Sequence, residues 1–358
     1  MAPPTLSFYR SLAKLAVQIF ADFLPENVPM DAAYVYTETP DNEPPGLQGA
    51  AKLLRERTEI PLLLLYGGEQ ECGGTRPGNV TVFHGFTGTR RNLLAEIARV
   101  EGESRENQNG KSGHTKLGVA SSVTQNHLSK SGPTSRPEEE NGILSRTSIL
   151  PWPFRCGADN MTHTLNEARE LLTNIQTWNS LLGDHPRPGP SCSEVQERGE
   201  RDDGKQGKCS VASTTRPAIS RKETEKDFAW RKGKLVELLE RTRHRSSTST
   251  ASRSSPQISR EIRNLVIIAP TIHLLRAFVT TVSVLIEKNM TDSVNVFAYP
   301  GTATDWEGSV VHSQGITTGT RSALLDGELD RIARYHEKGD LVDPNAVLEY
   351  LQMSRSRL

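Results

Sequence analysis

Two side chains three residues apart, His273 and Arg276, follow directly on the most apolar short run of the chain, "NLVIIAP" at 264–270. An imidazole can take or give a proton near neutral pH, and a guanidinium can hold a phosphate or carboxylate through two parallel N–H donors. Thr271 stands just before them, where a hydroxyl can cap a new helix whose positive end already favours an anion. For His273 alone, a hydrogen-bonded core or surface histidine is the plainer alternative.

Three further polar clusters share this placement. Tyr36, Thr37 and Glu38, with Asp41 and Asn42, close the run "DAAYVYT" at 31–37. Gly67, Gly68 and Glu69 close "PLLLLYG" at 61–67. Paired glycines let a backbone approach a ligand with the Glu69 carboxylate facing it, or they form a tight turn with an exposed carboxylate. "MTHTLNEA" at 161–168 puts Thr162, His163, Thr164 and Asn166 at a helix start, with Glu167 spaced from Thr164 as a capping box requires. Capping accounts for the threonines and the glutamate, but not for His163 or Asn166. The candidate acid/base groups are Glu69 and His273. The candidate ligand-binding set is Thr37, Gly67, Gly68, Glu69, Thr162, His163, Thr164, Asn166, Thr271, His273 and Arg276. No spacing among them demands a metal. GxGxxG after the first strand, GxxxxGK[ST], HExxH and GxSxG are all missing, which disfavours dinucleotide and P-loop binding and the common hydrolase motifs.

Strand and helix signals alternate around these clusters. Strands are expected at 31–37, 61–67, 264–270 and 294–300, with a short entry near "SILPWPF". Helices are expected at 46–58, 89–100, 162–182 and 272–288. Continuous apolar strands separated by helices imply a mainly parallel sheet covered on both faces, a three-layer α/β/α Rossmann-like domain. In such sheets ligands bind beyond the carboxyl ends of the strands, where all four clusters fall.

Residues 101–147 and 183–257 are polar, rich in Ser, Asn and Gly, and carry no apolar period, so they are expected as low-complexity insertions. Within the second, 225–243 has the pattern of an isolated charged helix. Residues 1–27 hold an amphipathic helix with Leu12, Leu15, Ala16, Ile19, Phe20 and Phe23 on its apolar side. It is expected to pack on the domain; the alternative is a membrane-surface or targeting helix. Residues 28–315 form the interrupted α/β domain. Residues 316–358 form a helical extension packed against it, presenting Leu325, Leu329, Ile332 and Tyr335 on one face.

The chain holds 43 Lys and Arg against 43 Asp and Glu, so no basic field points to nucleic acid. No apolar run is long enough to span a bilayer, and no secretory signal is evident. Four cysteines, Cys72, Cys156, Cys192 and Cys209, lie far apart and form no CxxC. A reducing compartment is the default, and a cytoplasmic protein is expected.

In their order, these pieces resemble the DUF218 family, the YdcF/SanA-like proteins. "DAAYVYT" is similar to the family's first strand, "PLLLLYGGE" to its second, "THTLNEA" to its Ser/Thr-Asn-Thr-x-Glu-Asn helix start, and "VIIAPTIHLLRA" to its strand-Thr-x-x-His-x-x-Arg-Ala segment. The resemblance covers residues 28–100, 148–182 and 258–315. It implies a Rossmann-like domain that binds an anionic or nucleotide-like small molecule, S-adenosylmethionine being one candidate, without an established reaction. Residue by residue, Gly67, Gly68, Glu69, Thr164, His273 and Arg276 fit. Tyr36-Thr37 stands where the family has a glycine pair, His163 stands for its asparagine, and Asn166-Glu167 inverts its Glu-Asn. Two functions follow as expectations: an enzyme of transferase or hydrolase type, or a non-catalytic ligand-binding or scaffold protein whose insertions recruit partners.

Overall fold

The computed structural model describes residues 5–21, 24–36, 42–67, 85–110, 142–154, 164–183, 224–248, 260–302, 305–312 and 317–358. At its centre are five strands, β1 (Ala32–Val35), β2 (Leu62–Tyr66), β3 (Ser148–Trp152), β4 (Asn264–Ala269) and β5 (Asn295–Pro300), in the order β3-β2-β1-β4-β5. Every pairing is parallel, with Ala32 beside Leu62 on one side and beside Leu265 on the other. Parallel strands need crossovers, and helices supply them on both faces.

Because side chains alternate along a strand, each strand feeds two cores. Ala33, Val35, Leu63, Leu65, Val266 and Ile268 point to the layer of α2 (Glu43–Glu56), α3 (Phe86–Gly110) and the single-turn α4 (Ile143–Arg146). Tyr34, Tyr36, Leu64, Tyr66, Trp152, Leu265 and Ile267 point to the other layer, which is the larger. That layer holds α1 (Leu6–Ala21), α5 (Thr164–Gly183), α6 (Glu225–Thr248), α7 (Thr271–Glu287), α8 (Arg321–Lys338) and α9 (Pro344–Ser356). The domain is therefore a three-layer α/β/α fold. A small antiparallel hairpin, β6 (Ser309–His312) with β7 (Thr317–Thr320), precedes α8. No helix among the described residues is long and apolar enough to cross a membrane.

The structure departs from the sequence reading at several elements. The "SILPWPF" entry is a full strand, β3, on the sheet edge; its Pro151 is tolerated there because an edge strand has no second neighbour to donate to. β5, the other edge, likewise ends in a proline, Pro300. At its start β5 meets α9. Tyr350, fully buried, accepts from the Val296 N–H at 2.8 Å and donates to the Val294 carbonyl at 3.2 Å. Pro44 and Pro45 belong to α2 rather than to the turn before it, since the first helical turn needs no N–H donors. α3 continues through residues 101–110, read from sequence as the start of an insertion.

The largest correction concerns α6. Its charges suggested an isolated helix, but Leu235, Leu238 and Leu239 are buried in the main core. Arg231 is buried against α5, donating to Glu170 at 2.8 Å and to Asn174. The apolar leucines fall on one narrow stripe, which the surrounding Lys, Arg and Glu conceal in any average over the segment. α6 is thus a structural helix of the domain. Leu235→Ala should lower stability by about 2–5 kcal/mol, as for other buried leucines, in urea unfolding monitored by circular dichroism. An unchanged midpoint would mean that α6 is not docked.

Candidate functional site

The strand order reverses between β1 and β4: from β1 the chain moves outward to β2 and β3, and later returns to β4 and β5 on the opposite side. In doubly wound sheets, two crossovers leaving in opposite directions open a crevice at the carboxyl ends of such a strand pair. His273 and Arg276 stand on the first turns of α7, just past β4.

Pro270, extended at φ −55° and ψ 146°, turns the chain out of β4, and its carbonyl accepts from the N–H groups of His273 and Leu274 at 2.8 and 2.9 Å. Thr271, expected as the cap, is instead the first helical residue; Pro270 occupies the cap position without a side-chain bond. α7 is buried from Ile272 to Leu285, so His273 and the guanidinium of Arg276 enter the core with it. A buried guanidinium is tolerated only where charge and hydrogen bonds answer it.

The answering charge comes from α8. Glu328, 2% exposed, accepts from Nε of Arg276, from its Nη2 at 3.3 Å, and from Arg331 at 2.5 Å. Thr164, the first residue of α5, accepts from Arg276 Nη1 at 2.6 Å. His273 lies in the same cluster. Its Nε2 is 3.4 Å from Thr164 Oγ1, and its Nδ1 is 2.9 Å from Arg276 Nη2 and 3.2 Å from Glu328 Oε2. One ring nitrogen cannot both accept from the guanidinium and donate to the carboxylate. With Nδ1 bare, Arg276 donates to it and Nε2–H faces Thr164; with Nδ1 protonated, it donates to Glu328 and Nε2 accepts from the threonine hydroxyl. Each tautomer pairs both ring nitrogens, the second with the loss of the Arg276 donor bond to Nδ1. Thr164, His273 and Glu328 therefore form a hydroxyl–imidazole–carboxylate series, with Arg276 alongside paired to the carboxylate.

Below this cluster lies a layer of tyrosines on the same face of the sheet. Tyr34 donates to Glu167 Oε1 at 2.6 Å, and Tyr36 shares a 2.5 Å hydrogen bond with Thr281 of α7. Tyr36 and His273 meet edge to face at 6.3 Å. Burial, reinforced by the nearby charge of Glu167, pushes the Tyr36 hydroxyl far above the ordinary phenol range and that of Tyr66 up to about 12. On the opposite layer, Glu43 accepts from Thr89 at 2.5 Å and Asn92 at 3.1 Å, tying the starts of α2 and α3 together. Arg321 reaches from α8 to Asn42 at 3.4 Å and to the Asp305 carbonyl at 2.9 Å.

Of the sequence-derived candidates, Thr164, His273 and Arg276 are brought together. Thr271 and Asn166 are half-buried on the first turns of their helices. Gly67 answers to the sheet: its N–H donates to the Trp152 carbonyl at 2.9 Å, and a Cβ there would stand 2.4 Å from that oxygen. Close approach of β3 thus requires the glycine, whatever binds nearby. Thr37, Gly68, Glu69, Thr162 and His163 lie outside the described residues. The sequence reading missed Glu328. The face expected for α8 was Leu325, Leu329, Ile332 and Tyr335, whereas the buried positions are Leu324, Glu328, Ile332 and Ala333. A carboxylate midway between Leu324 and Ile332 at four-residue spacing was the signal. No group of His, Cys, Asp or Glu among the described residues is arranged to hold a metal ion. In comparisons with protein-family models, curated proteins and solved structures, nothing matches the chain.

Two outcomes follow. Glu328→Leu should cost about 3–5 kcal/mol by leaving Arg276 without its carboxylate, while Arg276→Met combined with Glu328→Leu should recover most of the loss; urea midpoints of the three proteins decide this. The tyrosine layer sets an alkaline limit. A phenol whose folded-state pKa is raised contributes stability that is complete below pH 10 and lost as pH rises toward 12, because the unfolded chain then binds fewer protons than the folded one. Stability should fall across that window, and Tyr36→Phe should blunt the fall.

Proposed function

We propose that this chain is a DUF218-like protein that binds an anionic or nucleotide-like small molecule at the carboxyl ends of β1 and β4, with S-adenosylmethionine among the candidates. One observation carries the reading: the reversal of strand order, the part of a doubly wound sheet best suited to a ligand, coincides with a buried cluster of titratable side chains. In this reading His273 is the proton-transfer group, Glu328 orients it through Nδ1, and the hydroxyl of Thr164 faces Nε2. Arg276 serves as a positioning residue, because its guanidinium is already engaged by Glu328 and Thr164. Glu69 is kept as the second acid/base candidate. The reaction class that fits is transfer or hydrolysis in a cytoplasmic setting, the cysteine pattern supporting a reducing compartment.

A second reading, a non-catalytic ligand-binding or scaffold protein, is favoured by the closure of the same cluster. Thr164, His273 and Arg276 are all less than one-tenth exposed, so the network joins α5, α7 and α8 with no ligand needed. A thermal-shift screen with nucleotides, S-adenosylmethionine and phospho-sugars separates the two. A ligand at about 100 times its Kd should add about 2.7 kcal/mol of stability. Turnover of that ligand, reduced about 10²–10⁴-fold in His273→Asn with the thermal shift retained, supports the enzyme. Stabilisation with no turnover supports the second reading, and no stabilisation by any of these ligands would sink both.

A further inference from the structure

α1 is apolar on two sides. Phe8, Leu12, Leu15 and Ile19 pack into the core, and Phe8 stacks on His336 of α8 with ring centroids 4.9 Å apart. Ser11 ties α1 to the start of α9, donating to Asn345 at 2.7 Å. The outer side carries Leu6, Tyr9, Val17 and Phe20, exposed by 66, 41, 68 and 42%. Phe20, expected on the packed side, faces outward instead. With Ala13, also exposed, these residues step three or four positions at a time along one stripe. Of the nine large apolar side chains exposed among the described residues, six lie on α1 or on and just past α9, so the stripe is no random scatter.

Two further features say what covers it. Arg10 and Lys14 are exposed on α1, which holds no Asp or Glu over Leu6–Ala21. A second copy laid on this stripe would bring like charges together with no carboxylate on either helix to pair them. An anionic partner has no such conflict. Where α1 ends, the surface opens into an apolar groove of about 310 Å³ lined by Ile19, Leu24, Phe278, Val296, Leu351 and Leu358. The groove adjoins the C-terminal end of α1, and its lining, apolar but for Ser354 and Arg355, suits an acyl chain.

We infer that the outer face of α1 docks this protein on an anionic lipid bilayer. The helix lies in the membrane plane, with Leu6, Val17 and Phe20 in the acyl boundary, Tyr9 at headgroup level, and Arg10 and Lys14 reaching lipid phosphates. The test uses the full chain and sedimentation with vesicles of phosphatidylcholine alone or in equimolar mixture with phosphatidylserine. The wild type should sediment with the mixed vesicles, less so at high salt, and weakly with phosphatidylcholine. Arg10→Gln with Lys14→Gln should lower partitioning about thirtyfold, each cation near an anionic surface being worth about a fivefold factor. Val17→Asp, at a solvent-facing position, should abolish it while leaving the urea midpoint unchanged. Absence of vesicle association overturns the inference, as does association indifferent to these substitutions. A concentration-dependent dimer that Val17→Asp dissolves would assign the stripe to a second copy instead.

Discussion

The charge of Arg276 has nowhere to go but Glu328. α7 is the most deeply buried helix of the molecule, and a guanidinium on its second turn can be accommodated only if another element delivers a carboxylate to it. That requirement fixes α8 against α7, and through Thr164 it fixes the start of α5 as well. Three helices from distant parts of the chain thus converge on one ion pair at the end of β4. The hydrophobic effect brings such helices to the same face of the sheet, but it is indifferent to how far each slides along its neighbour. A bidentate pair is not indifferent, and here it sets the register of three of the layer's six helices.

The same interaction conditions the chemistry available at the crevice. His273 touches Thr164, Arg276 and Glu328, and Arg276 touches the other two, so the His273 tautomer and the hydroxyl of Thr164 are interdependent. Any ligand that draws on this cluster perturbs a set already balanced without it. His273 Nδ1 meets Glu328 at the joint between α7 and α8, so the cluster and the packing of these helices share one set of contacts.

Much of this architecture was legible in the chain. β1, β2 and β4 read as unbroken apolar runs because they are covered on both faces, and the helices between them follow from ordinary periodicity. β3 was harder, since a proline within a short run argues against a strand unless the strand is known to lie at an edge, and edges are a tertiary fact. α6 was hidden because its leucines occupy one narrow stripe among many charges. In the site, His273 and Arg276 were visible from their placement after β4. Glu328 was not, because the reason for a buried glutamate lies in a partner 52 residues away. The glycine at 67 was noticed for a ligand's sake, yet its backbone neighbour is β3.

The single hydroxyl of Tyr350 stands where a sixth strand would otherwise run. By accepting from the Val296 N–H of β5 and donating to the Val294 carbonyl just before the strand, it imitates the backbone of an absent neighbour. Open edges of parallel sheets are templates on which other chains extend the sheet, and proteins guard them by several devices. Here one edge is guarded by Pro151 and the other by Pro300 and a phenol borne on α9. Docking of α9 therefore also closes the sheet at β5, and without it that border would be open to another chain.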